Sequence, residues 1–237
     1  MIVDISHLSF SFADKRVLSD LSFSVDEGDS FAILGANGVG KTTLIRLLGG
    51  VLQPAAGSIH IAGLPFNEHN RIAIQHVMGT MYPISGIYLK MTGYEYLMFI
   101  GSLYEMKPED LHKRIEEVAQ IFNFADELHR SIEKYSAGTK KKIEFCAAIL
   151  AMPALLLLDE PFESVDPLVC YEIKAFIRDY IAQGGTLIIS SHILGAIEDI
   201  CTKFIIMNDC GIVDRGDIGA GTDLEKRYMD VVSYEEK

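Results

Sequence analysis

The chain has 237 residues, 49% hydrophobic and 23% charged, a composition that supports a buried core without disulfide staples and excludes a disordered polypeptide. Carboxylates outnumber Lys and Arg 33 to 21 and leave a net charge of −12. Affinity for phosphate backbones comes from clustered cations, so no nucleic-acid partner is expected. The four cysteines, Cys146, Cys170, Cys201 and Cys210, show no C-x-x-C pair and no metal-ligand spacing. They read as small buried hydrophobes in a reducing compartment. No basic segment precedes an apolar stretch at the N-terminus. The apolar runs, such as residues 154–158, fall far below the about 18 residues that span a bilayer. A cytoplasmic chain is therefore expected, whose membrane role, if it has one, runs through a partner.

In chain order, Ile2, Ile5 and Leu8, then residues 17–21, then Phe23 and Val25 read as short strands of an antiparallel sheet before the turn Glu27-Gly28-Asp29. Residues 30–34 form an apolar strand that runs into a glycine-rich loop, and residues 42–48 carry helical spacing up to Gly49-Gly50. Residues 57–63 suggest another strand. From 83 to 152 the texture becomes helical. Thr92-Gly93-Tyr94-Glu95 has capping-box spacing, Pro108-Glu109-Asp110 starts the next helix, and Ser136 heads a third that runs through residue 150. Within it, Lys140-Lys141-Lys142 reads as a solvated face. After Pro153, strands appear at 154–158, 186–190 and 204–207, and Asp166-Pro167 opens a helix that Gly184-Gly185 closes. The expected fold is α/β: a single domain over 1–237 with a mostly parallel sheet and an N-terminal antiparallel β subdomain. Residues 1–82 and 153–237 would form its core, with a helical subdomain inserted at 83–152.

Gly35-Ala36-Asn37-Gly38-Val39-Gly40-Lys41-Thr42 fits G-x-x-x-x-G-K-[ST] between an apolar strand and a helix. Glycines let successive backbone N–H groups turn inward toward phosphate oxygens, and the helix adds the positive end of its dipole. Gly35, Asn37, Gly38, Gly40, Lys41, Thr42 and Thr43 are the candidate phosphate-binding set. Lys41 would reach the β- and γ-phosphates, and the Thr42 hydroxyl would meet Mg²⁺. The core is thus expected to be of the P-loop NTPase type.

Leu155-Leu156-Leu157-Leu158-Asp159-Glu160 is an apolar strand ending in two carboxylates. Ligands gather at strand carboxyl ends, so Asp159 is the candidate Walker-B aspartate that holds Mg²⁺. Glu160 is the candidate general base, and His192, just past the strand at 186–190, is placed to touch the γ-phosphate. No N-K-x-D tetrapeptide is present to read guanine, which favours adenine and hence ATP.

Tyr135-Ser136-Ala137-Gly138-Thr139 opens a helix with a capping serine and a glycine that lets a ligand approach the first-turn N–H groups. The order of these motifs resembles the ATP-binding cassette (ABC) family, specifically its nucleotide-binding subunit, over nearly the whole chain. Under that resemblance Tyr135–Thr139 is the signature loop, Ser164-Val165-Asp166 the D-loop, His192 the switch histidine and Phe12 the adenine-stacking aromatic. It implies an ATPase in which two such chains, identical or related, pair head to tail around ATP and Mg²⁺. Ser136 and Gly138 of each would complete the site of the other, and closure would drive separately encoded transmembrane permease subunits. The subunit would lie on the inner face of the membrane through those partners. The phrasing of Pro161-Phe162-Glu163-Ser164-Val165-Asp166-Pro167 is similar to the subset that exports drugs or antimicrobial peptides. Two departures stand out. Pro83 or Ile84 falls where the family carries a glutamine, with Gln75 upstream, and Ala137 and Thr139 loosen the signature. The alternatives are a non-transport ABC ATPase of DNA repair or translation, or a regulatory module that holds ATP with little turnover.

Overall fold

The computed structural model describes residues 1–83, 86–163, 165–208, 210–219 and 221–232, with Ile87 and Val232 described by backbone alone. Alternating apolar side chains carry β1 (Val3–Phe12) and β2 (Lys15–Val25), which pair antiparallel; β4 (Ala56–Ile61) and β5 (Leu64–Pro65) complete a four-stranded sheet in the order β2-β1-β4-β5. The breaks suggested by the sequence are bulges within continuous strands. His7 and Asp20 take φ of 52° and 56°, the β1–β2 register shifts beside them, and His7 Nδ1 lies 2.7 Å from Asp20 Oδ1. A bulge inserts an unpaired residue, so the period-2 pattern slips and one strand reads as two.

The second sheet has six strands in the order β10-β9-β3-β8-β7-β6. Here β3 (Ser30–Leu34), β6 (Met78–Met81), β7 (Leu155–Asp159), β8 (Thr186–Ser190) and β9 (Lys203–Asn208) are parallel, and β10 (Gly211–Asp217) closes one edge antiparallel. Its central strands are continuous apolar runs because both faces are covered. Phe31, Ile33, Leu155, Leu157, Ile188 and Ile205 face α1 (Lys41–Leu48) and the antiparallel sheet. Their neighbours Ala32, Leu34, Leu156, Leu158, Leu187 and Ile189 face the helices of the other layer.

Those helices begin where local chemistry says they should. Thr92 and Glu95 close a capping box ahead of α3 (Gly93–Leu103), while Pro108 starts α4 (Pro108–Ile121). Ser136 caps α5 (Ala137–Ile149), and the Asp166 carboxylate caps α6 (Pro167–Ala182). Leu97, Leu111, Ile115, Phe122 and Phe145 share one core with Leu156 and Leu158, so the helical stretch packs directly on the sheet. Beyond the expected elements, the structure contains α2 (Arg71–Val77), β6, β10, α7 (Leu194–Glu198) and α8 (Leu224–Val232). Met78-Gly79-Thr80-Met81 has no strong strand propensity of its own, and β6 exists because β7 supplies a parallel partner.

Lys142 corrects the reading of a solvated lysine face: it is 8% exposed and ion-paired inside the helical layer, whereas Lys140 and Lys141 are half-buried. All four cysteines are free. Burial pushes the Cys146 and Cys201 thiols well up, which leaves them protonated and poor nucleophiles. Among the described residues no helix is long and apolar enough to cross a membrane.

Gly79 shows how tightly the layers meet. A Cβ there would overlap the Ala148 carbonyl at the end of α5 and lie 2.7 Å from Pro153 Cγ. Gly79→Ala is expected to cost about 1–3 kcal/mol through overpacking, read as a lower urea midpoint at constant slope. Gly195→Ala in α7, where a Cβ meets nothing within 4 Å, should be neutral or slightly stabilising.

Candidate functional site

The site grows from the register of the parallel sheet. Ile33 on β3 and Asp159 on β7 both pair with Ser190 on β8, so three strands end side by side. Beyond β3 the chain must turn within the space left by β9. A Cβ on Gly35 would lie 2.6 Å from the Met207 carbonyl oxygen and 2.8 Å from Val39 Cγ1, so only glycine fits. Gly40, at φ 113°, is the N-cap of α1 and supplies no side-chain cap. The first-turn N–H groups of α1 therefore have no intrahelical acceptor, which is the arrangement that binds anions.

Lys41 is the first residue of α1 and is 5% exposed. Its Nζ donates to the Gly35 carbonyl at 2.8 Å and the Ala36 carbonyl at 3.2 Å, and lies 3.3 Å from Glu160 Oε1. The other carboxylate oxygen, Glu160 Oε2, lies 3.0 Å from His192 Nδ1 and accepts from the His192 amide at 3.3 Å. A carboxylate oxygen accepts here, so the contact is made by a proton on His192 Nδ1. Glu160 sits at φ 45°, a left-handed conformation that costs a non-glycine residue about 1–3 kcal/mol. Its amide holds that turn by donating to the Ser190 carbonyl at 3.2 Å and Ser190 Oγ at 3.0 Å. Ser190 Oγ in turn donates to Asp159 Oδ1 at 2.6 Å.

Asn37, Gly38, Lys41, Thr42 and Glu160 line a cavity of about 300 Å³, joined by Glu163. A second cavity, about 450 Å³, shares Asn37, Gly38 and Thr43 with the first and extends to Phe12, Arg16 and Cys210. Phe12 is 48% exposed and stands edge-on against Phe10 with centroids 4.8 Å apart. An exposed aromatic ring at the mouth of a cavity can serve as a stacking surface for a planar ligand.

Ser136 and Gly138 lie elsewhere and line neither cavity. Ser136 is exposed, and its Oγ accepts from the Thr139 amide at 3.1 Å. A Cβ on Gly138 would lie 3.3 Å from Asp166 Oδ2, which brings the start of α5 against the start of α6. Val165 and Asp166 of the D-loop candidate are described, and Ser164 lies outside the described residues. Pro83 is exposed, and Ile84 also lies outside them. Gln75, on α2, lines a groove of about 620 Å³ with Tyr82 and Tyr104, away from the phosphate loop. Burial raises the Tyr82 phenol to about 12. Sequence reasoning passed over Ser190 and Glu163. Ser190 reads as the end of an apolar strand, and only cross-strand register reveals its contact with Asp159.

The ABC transporter profile matches residues 18–163. The chain belongs to the ABC transporter family of ATP-binding proteins. Among its relatives is the uncharacterized ABC transporter ATP-binding protein YhaQ of Bacillus subtilis, 32% identical over 87% of this chain and 68% of that protein. The linearmycin resistance ATP-binding protein LnrL of the same species is 31% identical over 92% of this chain and 68% of its own. The Nod factor export ATP-binding protein I of Rhizobium meliloti is 28% identical over 86% of this chain, which spans only 61% of its length. A solved ATP-binding subunit of an ABC transporter superposes with a TM-score of 0.90 at 25% identity, covering 98% of this chain and all of that one. A dimeric cassette bound to ADP and Pi shares the fold at a TM-score of 0.83 and 16% identity, over 92% of this chain and 100% of its own. This ABC ATPase thus has the mixed α/β P-loop fold of its family, with an antiparallel N-terminal sheet.

Ser190→Ala removes the hydrogen bond that orients Asp159 and one of two acceptors for the Glu160 amide. Loss of a charge-assisted bond worth about 1.5–3 kcal/mol should lower turnover about 10- to 100-fold with little change in nucleotide affinity. Steady-state ATPase rates with a separate nucleotide-binding titration check this. An equal loss in affinity would place Ser190 in ground-state binding instead.

Proposed function

We propose that this ABC ATPase is the energy-supplying subunit of an exporter. In this reading two copies, or this chain and a sister subunit, close around ATP and drive separately encoded transmembrane permease subunits. One observation carries it: Ser136 and Gly138 form an open, capped helix start apart from the cavity that residues 35–42 of the same chain help to build. Two phosphate-facing surfaces on one chain that cannot share a nucleotide are satisfied when a second chain supplies the complementary half. The names of the linearmycin resistance and Nod factor export relatives support an outward direction. The subunit would then sit on the cytoplasmic face of the membrane through its partners.

The residues divide the work. The loop N–H groups, Lys41 and the α1 terminus hold the β- and γ-phosphates, with Phe12 stacking on adenine and Asn37 and Thr43 lining the path between. Phosphate oxygens compete with Glu160 for the Lys41 ammonium, so nucleotide entry frees Glu160 Oε1. The Thr42 hydroxyl and Asp159 carboxylate are hard oxygen donors, which suits an ion that takes few protein ligands and keeps phosphate and water as the rest. When bound, Mg²⁺ would neutralise charge on the phosphates. Glu160 takes a proton from the attacking water as its oxygen bonds to the γ-phosphorus. The bond to the β–γ bridging oxygen breaks, and its electron pair leaves with ADP. His192, hydrogen-bonded to Glu160 through Nδ1, fixes the orientation of that carboxylate.

Lys41→Ala removes the one buried ammonium of the loop and should weaken ATP binding about 100-fold or more, measured by fluorescent-nucleotide titration. Unchanged affinity would overturn the phosphate-loop assignment. Glu160→Gln should keep ATP affinity, lose at least about 100-fold in turnover, and accumulate dimers on size-exclusion chromatography with ATP and Mg²⁺. Monomers alone under those conditions would reject the paired arrangement.

A further inference from the structure

Charged side chains are rarely buried in a helical layer unless they are paired, and Lys142 and Glu172 are such a pair. Their side chains are 10% and 9% exposed, with Nζ 2.8 Å from Glu172 Oε2. Lys142 Nζ also donates to the Phe122 carbonyl at 2.7 Å, at the C-cap of α4, where a cation suits the helix dipole. Glu172 Oε1 accepts from Asn123 Nδ2 at 2.8 Å, and Asn123 turns the chain out of α4 at φ 51°. One buried cluster therefore ties α5 and α6 each to the end of α4 by a hydrogen bond, and α5 to α6 by an ion pair.

Its position gives it meaning. Lys142 lies six residues beyond Ser136, and Glu172 lies six residues beyond Asp166. At 1.5 Å per residue the pair sits about 9 Å in from both helix starts, at matching depth. Ridge-into-groove packing leaves the relative placement of two helices some scatter, and a lysine held by a carboxylate and a carbonyl adds a fixed contact at one depth. At the starts of the same two helices, Gly138 and Asp166 are in close approach, and each capping oxygen is occupied by its own helix: Ser136 Oγ by Thr139, Asp166 Oδ1 by Leu168 and Val169.

We infer that Lys142 and Glu172 are positioning residues. They lock the axial register of α5 against α6, so that Ser136, Gly138 and Asp166 are presented to the second chain as one rigid surface. Neither residue lines the phosphate-loop cavities of its own chain. The inference deepens the paired-subunit reading and rests on it for its functional consequence, while the register itself is a property of the single chain.

The experiment uses Lys142→Arg and the apolar double variant Lys142→Met/Glu172→Met. The double variant leaves no unpaired buried charge, so it folds where a single truncation would leave Glu172 stranded. Both are made in the full chain, alone and with Glu160→Gln. ATP affinity of the dilute monomer should stay within twofold for both. In the Glu160→Gln background, the ATP concentration for half-maximal dimerisation should rise at least tenfold for the double variant and stay within threefold for Lys142→Arg. Hydrogen exchange on the monomer should quicken about tenfold at the Thr139, Leu168 and Val169 amides together, with β7 and β8 amides unchanged.

Wild-type dimerisation by a stably folded double variant overturns the inference, as does equal loss in the double and Lys142→Arg variants. If Glu160→Gln itself never dimerises, the paired-subunit reading fails on its own. Exchange then decides the register: coordinated loss at both helix starts sustains it, and unchanged protection removes it.

Discussion

The parallel register of β3, β8 and β7 is the constraint on which the site depends. It sets Ile33 and Asp159 on either side of Ser190 and so delivers the phosphate loop, the acidic pair and the histidine turn to one edge of the sheet. Slipping any of these strands by one residue would exchange its two faces. Leu155 and Leu157 would then trade layers with Leu156 and Leu158, and the two cores would lose their side chains together. Burial of a large apolar surface on both faces thus fixes the sheet edge more firmly than the few polar contacts made there. The chemistry inherits its precision from the core.

At that edge one carboxylate is shared. Glu160 spans Lys41 through one oxygen and His192 through the other, and its left-handed backbone turns the side chain back over the strand end. The strain is offset by two hydrogen bonds from the Glu160 amide to Ser190. Ser190 therefore connects both acidic residues: its hydroxyl donates to Asp159, and its hydroxyl and carbonyl oxygens accept from the Glu160 amide. On the function proposed above, a phosphate that took over the Lys41 ammonium would leave Glu160 tied to His192, and one side chain would link substrate binding to the orientation of the base.

Much of this was legible in the sequence because it is local. Capping residues Thr92, Ser136 and Asp166 each start the helix that their spacing indicates. The glycine pattern of the loop marks a backbone that no other residue can adopt at Gly35. What escaped depends on neighbours distant in the chain. Strand β6 needs β7 beside it, the bulges at His7 and Asp20 need a partner strand, and Ser190 needs Asp159 across the ladder. Lys142 obeys the same rule. Three consecutive lysines resemble a solvated face until Glu172 and the Phe122 carbonyl, twenty or more residues away, meet one of them.

Helix α1 relates the phosphate loop to the groove that lies away from it. Its first turn carries Lys41, and its C-cap, Gly49, lies so close to the Tyr82 hydroxyl that a Cβ there would overlap it. Tyr82 belongs to the groove wall together with Gln75 and Tyr104, and Tyr104 fixes that wall by donating to the Met78 carbonyl at 2.7 Å. The two regions are thus opposite ends of one eight-residue helix, about 12 Å long, buried between two layers. Close-packed interiors pass displacement on as shifts of whole elements, because no free volume absorbs it. Pro83 has no amide proton and no polar side chain, and Gln75 stands on a separate helix. The close approach of Gly49 to Tyr82 thus joins the end of α1 to the groove wall, beside a position 83 that carries no polar side chain.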